Sequence, residues 1–335
     1  MCRPRAAAAY SLIGLTAAVA AVAAVTAASA GDGPRAVAPG PAWAFPVPAK
    51  AARPTAVREL QTLAGSTTRF TGVQLIDRTA AVDWFPDNHP PMPSAVAGGV
   101  GTAFACGYCH LPEGQGRPEN AALAGLPYAY LVQQLRDMKS GARKLIDSRF
   151  GPGALMLQAI DHTSDAAADQ AARYFSGLRY TKRVKVIEAV FVPQFTAEGY
   201  VYVFDRGGPR QRLGDRIIEG PDDFERFEKR DSRVEFTAYV PVGSIARGAA
   251  LAKGDGKSRQ ACAICHGAGL RGGPIGPPIA GRYPTEIFRQ LYAFQIGTRT
   301  GATAALMRPN VVGLSQSDLI DLAAYVGSLK PAVAQ

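Results

Sequence analysis

Cys106-Gly107-Tyr108-Cys109-His110 and Cys262-Ala263-Ile264-Cys265-His266 decide how this chain is read. Each is a C-x-x-C pair followed at once by histidine, the attachment signature of a c-type haem. The spacing follows from the chemistry. Two thiols three residues apart reach the two vinyl groups on one side of a haem, and the adjacent imidazole then coordinates the iron. Two disulfides, or a zinc site assembled from both pairs, are the alternative readings of these four cysteines, while a redox-active C-x-x-C leaves the histidines unexplained. The motifs predict two covalently bound c-type haems, one on Cys106 and Cys109 and one on Cys262 and Cys265, with His110 and His266 as iron ligands.

The duplicated motif extends into a duplicated domain. A shift of 156 residues places Cys106 on Cys262 and keeps register through Ala124-Gly125 on Ala280-Gly281, Gln134-Leu135 on Gln290-Leu291, Gly141 on Gly297 and Arg143 on Arg299. Beyond a loop the shift becomes 151, placing Ala154-Leu155-Met156 on Ala305-Leu306-Met307 and Ala172-Arg173-Tyr174 on Ala323-Ala324-Tyr325. A thioether is a soft neutral donor that favours ferrous iron, so Met156 and Met307, the matched methionines, are expected as the second axial ligands. Met138 has Phe294 as its repeat partner and reads as core filler in an amphipathic helix; Met92 has no counterpart.

Outside the motifs, the 335 residues are 47% apolar, 19% charged and 8% aromatic, which excludes wholesale disorder and fibrous architectures. Met1 to Arg5 is basic, Ala6 to Ala24 is apolar and Ala28-Ser29-Ala30 is an A-x-A cleavage signal, so residues 1–30 read as a cleaved export leader in preference to an uncleaved anchor. The formal net charge is +10, or +8 once Arg3 and Arg5 leave with the leader. No recognition motif accompanies that charge, and nucleic-acid binding is excluded. The expected location is periplasmic, with the mature protein soluble or peripheral to the membrane.

Helices are expected over Ser94 to Val100, Tyr128 to Lys139, Ala166 to Leu178, Ser244 to Lys253, Thr285 to Gln295 and Asp318 to Leu329, the last opened by a Ser315/Asp318 capping box. Between the repeats, strands are expected at Val184 to Val192, Tyr200 to Phe204, Arg216 to Glu219 and Val234 to Val240, with Gly207-Gly208-Pro209 as a turn. The charge run Asp222 to Arg233 reads as a solvated face. The strand-rich segment is either a clamp on the two haem domains or a docking surface. Gly31 to Pro54 reads as an extended Pro/Ala-rich tether, and Trp84 to Pro93 as a polyproline-like cover of a haem edge. A docking role for that stretch, or His89 or Met92 as a ligand in place of Met156, are its alternatives. His162 reads as a surface residue near a helix start.

The series C-x-x-C-H, P-x-[LI]-A-G, an aromatic helix with Q-L, G-x-R, a methionine and a final A-A-Y helix resembles the class I cytochromes c, and its tandem form resembles the di-haem cytochrome c4 group. The resemblance covers about residues 94–180 and 244–330. It implies His/Met ligation, a crevice with one exposed haem edge, and electron exchange with redox protein partners such as a membrane oxidase or a dehydrogenase. It also implies that a proline carbonyl accepts a hydrogen bond from the proximal imidazole. Pro277 fits that role for His266, and Ala121 takes its place for His110. The expected fold is mainly α: two tandem class I cytochrome c domains with a small β-rich insertion. The expected division is leader 1–30, tether and extension 31–93, first haem domain 94–180, β-rich segment 181–243 and second haem domain 244–335. No acid/base or nucleophile constellation is present, so an electron carrier is expected. The alternative is a di-haem oxidoreductase or a cytochrome subunit of a dehydrogenase, of thiosulfate dehydrogenase or peroxidase type.

Overall fold

The computed structural model describes Met1, residues 40–48 and residues 58–332. The expected leader and much of the tether lie outside the described residues. Where the tether is described it is not free chain: Ala42–Ala44 forms a 3₁₀ turn, and Ala44 and Phe45 are buried. Trp43 meets Phe288 at 4.4 Å and Phe45 meets Phe150 edge-on at 5.7 Å. Two aromatics in a Pro/Ala-rich stretch supply enough apolar surface to hold it against the core.

From residue 58 the chain forms a short antiparallel pair, β1 (Leu60–Gln61) and β2 (Phe70–Thr71), and then α1 (Gly72–Ile76), capped by Thr71 and Gln74. Trp84 to Pro93 is not a regular polyproline run. It contains a 3₁₀ turn at Pro86–Asn88, and Trp84 is buried with its indole N–H donating to the Lys229 carbonyl at 2.6 Å. The first half continues with α2 (Ser94–Ala97), α3 (Cys106–His110), α4 (Tyr128–Lys139), α5 (Gly151–Asp161) and α6 (Asp165–Ser176). α2 is shorter than expected, because Gly98 caps it and Gly99 turns into the left-handed region at φ 65°.

The strand-rich segment is built of β3 (Val184–Glu188), β4 (Phe191–Glu198), β5 (Val201–Arg212), β6 (Ile218–Pro221), α7 (Phe224–Glu228) and β7 (Phe236–Val240). The expected single strand over Val184 to Val192 is two strands in different sheets. One sheet has the order β3-β7-β6, with β3 parallel and β6 antiparallel to β7; the other is the β4–β5 hairpin. β7 lies at the centre and every residue of it is buried, as expected of a strand covered on both faces. The hairpin turns at Gly199-Tyr200, both at positive φ. Gly207-Gly208-Pro209 is therefore not the turn. It lies in a bulge of β5, where pairing jumps from Gln194 opposite Asp205 to Pro193 opposite Arg210.

The second half repeats the helical pattern: α8 (Ser244–Leu251), α9 (Cys262–His266), α10 (Pro284–Gln295), α11 (Ala304–Met307) and α12 (Gln316–Ser328). The Ser315/Asp318 capping box opens α12 as expected. α8 and α12 cross so closely that a Cβ on Gly248 would lie 1.9 Å from the Asp321 carbonyl oxygen, so only glycine fits there. Arg247 fastens the crossing by binding both carboxylate oxygens of Asp321 at 2.7 and 2.9 Å.

One apolar cluster runs through Val184, Phe236 and Val240 of the sheet into Tyr283, Phe288 and Leu319 of the second half. The first half packs its helices around Val96, Leu131 and Phe175, and a separate cluster joins Trp84 and Phe85 to Tyr108 of α3. The sheet thus shares its core with the C-terminal half. The charge run Asp222 to Arg233 is correspondingly not a solvated face: Asp231 and Ser232 are buried, and Arg226 bonds the Asp231 carboxylate. The mainly helical architecture with strands between the repeats otherwise agrees with expectation.

Candidate haem sites

α3 and α9 are five-residue helices, each of which sets two cysteines and one histidine at i, i+3 and i+4 on one face. Nδ1 of His110 lies 2.8 Å from the Ala121 carbonyl, and Nδ1 of His266 lies 2.8 Å from the Pro277 carbonyl. A carbonyl only accepts, so each ring donates from Nδ1 and keeps the lone pair on Nε2, the nitrogen a metal takes. Burial pushes both imidazoles toward the neutral form, partly offset by these hydrogen bonds. The Ala121 carbonyl serves the first ring as well as the proline carbonyl serves the second, because the bond needs only the backbone oxygen. A further bond, from the Gly116 amide to the His110 carbonyl at 3.0 Å, has its repeat in Gly272 to His266 at 2.8 Å.

The four motif cysteines are free of disulfides, and burial pushes the Cys106 thiol up to about 11. Among the described residues no group of three His, Cys, Asp or Glu side chains is placed to share a metal ion. The two pairs therefore do not form one zinc site.

Beside α3 lies a cavity of about 260 Å³ lined by Cys106, Cys109, His110 and Met156. Leu126, Leu131 and Phe175 give it apolar walls. Met138 lines it too, so the wall geometry brings two thioethers to the cavity, and the repeat alignment singles out Met156. Met307 ends α11 half-buried against the second core. Its loop is tied to the second motif by Asn310, whose side-chain oxygen accepts from the Gln260 amide at 2.9 Å. His89 and Met92 are not among the cavity residues. His89 sits 3.2 Å from the Asp83 carboxylate, whose hydrogen bond raises its pKa against the opposing effect of burial. His162 is exposed at the C-terminal cap of α5.

Where the two halves meet, four repeat-matched side chains interlock. Arg143 donates to Gln134 at 3.0 Å and across to Gln290 at 3.1 Å; Arg299 donates to Gln290 at 2.8 Å and across to Gln134 at 2.6 Å. The backbones pair likewise, Lys144 to Thr298 and Thr300 to Ala142, giving a local two-fold. The repeat matches both pairs in sequence, and the fold brings them against each other. Burial, then the neighbouring Arg299 charge, pushes Arg143 down to about 10. These hydrogen bonds go to neutral oxygens, so the half-buried Arg143 and the buried Arg299 at the cavity wall favour an anion, a need the nearby Glu286 carboxylate meets only in part. The carboxylates of a haem answer that need, and the apolar walls, cysteine pair and Nε2 lone pair answer the rest of the group.

Comparison with known proteins agrees with this chemistry. A family model described as cytochrome c matches residues 245–330. Cytochrome c-554(548) of Halomonas halodenitrificans is 41% identical over 68 residues, 20% of this chain and 82% of that protein. Cytochrome c4 of Azotobacter vinelandii is 25% identical over 238 residues, 70% of this chain and 88% of that protein. A solved structure of thiosulfate dehydrogenase TsdBA from Marichromatium purpuratum aligns with a TM-score of 0.46 at 24% identity, covering 69% of this chain and 38% of that one.

Proposed function

We propose, given that this chain belongs to the cytochrome c family and is a di-haem, cytochrome c4-like protein, that it carries electrons between redox protein partners in the periplasm as part of a respiratory chain. Covalently bound haem supplies the one-electron centre. The chain's own part is to hold and tune it. Cys106 and Cys109, and Cys262 and Cys265, are the thioether tethers. His110 and His266 present Nε2, and Met156 and Met307 complete the ligand sets. Arg143 and Arg299, which line the first cavity, would offset the carboxylate charge of the haem. The apolar walls keep water out, so little solvent has to reorganise when charge changes.

The observation that carries this reading is the pair of Nδ1 hydrogen bonds to carbonyls at 2.8 Å, which fixes both rings in the metal-binding tautomer. With His and Met side chains both held to each iron, no iron site would be left for a substrate, which favours a carrier over catalysis at the haem. Among the described residues no helix is long and apolar enough to cross a membrane. Carbon monoxide mixed with the reduced, exported protein is the test. No carbon monoxide spectrum is expected, with oxidation by a purified terminal oxidase that slows as salt rises. Rapid carbon monoxide binding at either haem, or enzyme-like turnover of thiosulfate or peroxide, overturns the reading.

A further inference from the structure

Matched positions of the two motifs are treated in opposite ways by the rest of the molecule. Tyr108 and Ile264 occupy the same place between the motif cysteines, yet Tyr108 is 4% exposed and Ile264 60%. Glu119 and Ile275 are matched in the loop before the carbonyl that binds the histidine, at 8% and 59%. Leu155, half-buried, matches Leu306, which is exposed.

The first face is closed by protein. The Arg230 guanidinium lies 3.4 Å over the Tyr108 ring and donates to the Tyr108 carbonyl at 3.0 Å and the Leu75 carbonyl at 3.2 Å. Arg117 pairs with Glu119 at 3.0 Å while lying 3.5 Å over Phe227 of α7. Among the described residues no such contact covers the second face. The Gly276 amide donates to the Cys265 carbonyl at 3.0 Å, which joins the residue after Ile275 to the residue after Ile264. Asn310 joins the turn holding Leu306 and Val312 to the stretch entering the motif, through Gln260 on one side and the Leu306 carbonyl on the other. Single exposed aliphatics are ordinary, but four around one motif make a patch.

Its rim is basic. Over residues 253–276 and 300–312 the exposed cations Lys253, Lys257, Arg271 and Arg308 and the half-buried Arg259 face one carboxylate, Asp255, which already accepts from the amides of residues 257–259. The patch is aliphatic, without the Trp or Tyr that mark a membrane interface.

We infer that the face formed by Ile264, Ile275, Leu306 and Val312 docks a redox protein with an apolar centre and an acidic rim, and that the matched face of the first motif is closed to it. The inference rests on the carrier reading and adds which half meets the partner. Apolar contact holds the complex and the basic rim steers its approach.

The test uses the two-haem protein with two oxidants: plastocyanin, an acidic copper protein, and hexacyanoferrate, a small anion. Replacing Ile264 and Ile275 together (Ile264→Ser, Ile275→Ser) is expected to slow exchange with plastocyanin by about tenfold, the effect of about 1.4 kcal/mol of lost docking energy. Hexacyanoferrate rates and both reduction potentials stay as in the wild type. Lys257→Glu with Arg271→Glu is expected to slow plastocyanin exchange at low salt and to lose that effect at high salt. A wild-type plastocyanin rate in the Ile264/Ile275 variant overturns the inference, as does equal slowing by Val190→Ser with Phe191→Ser on the exposed sheet surface. Loss of sedimentation with anionic phospholipid vesicles, with the plastocyanin rate unchanged, overturns it in favour of a membrane. If the wild type exchanges electrons with neither oxidant, the carrier reading itself fails.

Discussion

The two halves carry the same motif and differ in what surrounds it. In the C-terminal half α8 has eight residues and crosses α12 at Gly248, and the half shares a continuous core with the sheet. In the N-terminal half α2 has four residues, and segments outside the repeat, residues 60–93 and the stretch around Arg230, close over the motif. The sheet treats the two matched long helices differently as well. Glu219 of β6 accepts from both the Thr285 amide and hydroxyl at the N-terminus of α10, whereas the first turn of α4 follows Pro127 with no side-chain cap. Duplication thus copies the haem motif, while the unrepeated chain covers one copy and leaves the matched positions of the other exposed.

The largest expected effect comes from removing one haem at a time. Cys106→Ala with Cys109→Ala, and Cys262→Ala with Cys265→Ala, should each leave one haem by mass spectrometry, against two in the wild type. The first pair is expected to melt at the lower temperature, because the N-terminal half has smaller clusters around an otherwise unfilled cavity. Equal melting temperatures would erase the difference drawn here.

Ligand exchange ranks next. Met156→His and Met307→His should each lower one wave of a redox titration by a sizeable part of the roughly 0.8 V over which axial ligands set haem potentials. Met138→Leu should move neither wave. A shift with Met138→Leu would transfer the first ligand assignment to that residue.

A pH effect separates the sheet's bond to α10 from the uncapped α4. Burial pushes the Glu219 carboxyl up to about 7, against hydrogen bonds from Thr285 that pull it down, from an unperturbed 4.5. Its folded form therefore holds a proton that the unfolded form releases between those values. The contribution is fully present below about 4.5 and is lost as pH rises to about 7, an upper bound of about 3 kcal/mol at 1.36 kcal/mol per unit. Denaturant melts at a series of pH values should show this slope, and Glu219→Gln should flatten it. An unchanged slope in the variant would place its origin elsewhere.

Arg230→Ala should have the smallest effect, about 1–2 kcal/mol of stability from a stacked guanidinium and its two carbonyl bonds. It should also make Tyr108 accessible to nitration. Protection of Tyr108 in that variant would show that other residues close the first face.

The covalent haem chemistry was legible in the sequence. Attachment chemistry needs fixed residue types at fixed short spacing, so Cys106, Cys109, His110 and their repeats are written locally. The helices over Tyr128–Lys139 and Pro284–Gln295 show in their apolar period, and Ser315 with Asp318 marks the start of α12. Gly207-Gly208-Pro209 misled because glycine and proline signal a break without saying whether it is a turn or a bulge; the register with Gln194 decided that. The charge run Asp222 to Arg233 misled because Lys229, Arg230 and Arg233 found partners more than a hundred residues away, Tyr108 among them, and Arg226 closed on the buried Asp231 within the run.

By itself, then, the sequence determined the duplicated haem chemistry and the helical frame around it, because each depends on residues near one another along the chain. Only the tertiary structure decided that Arg143 and Arg299 meet through Gln134 and Gln290, and that Tyr108 is covered while Ile264 is open. Those facts depend on long-range contacts between the repeats and the segments that are not repeated, and burial and charge pairing are properties of the assembled surroundings rather than of any local pattern.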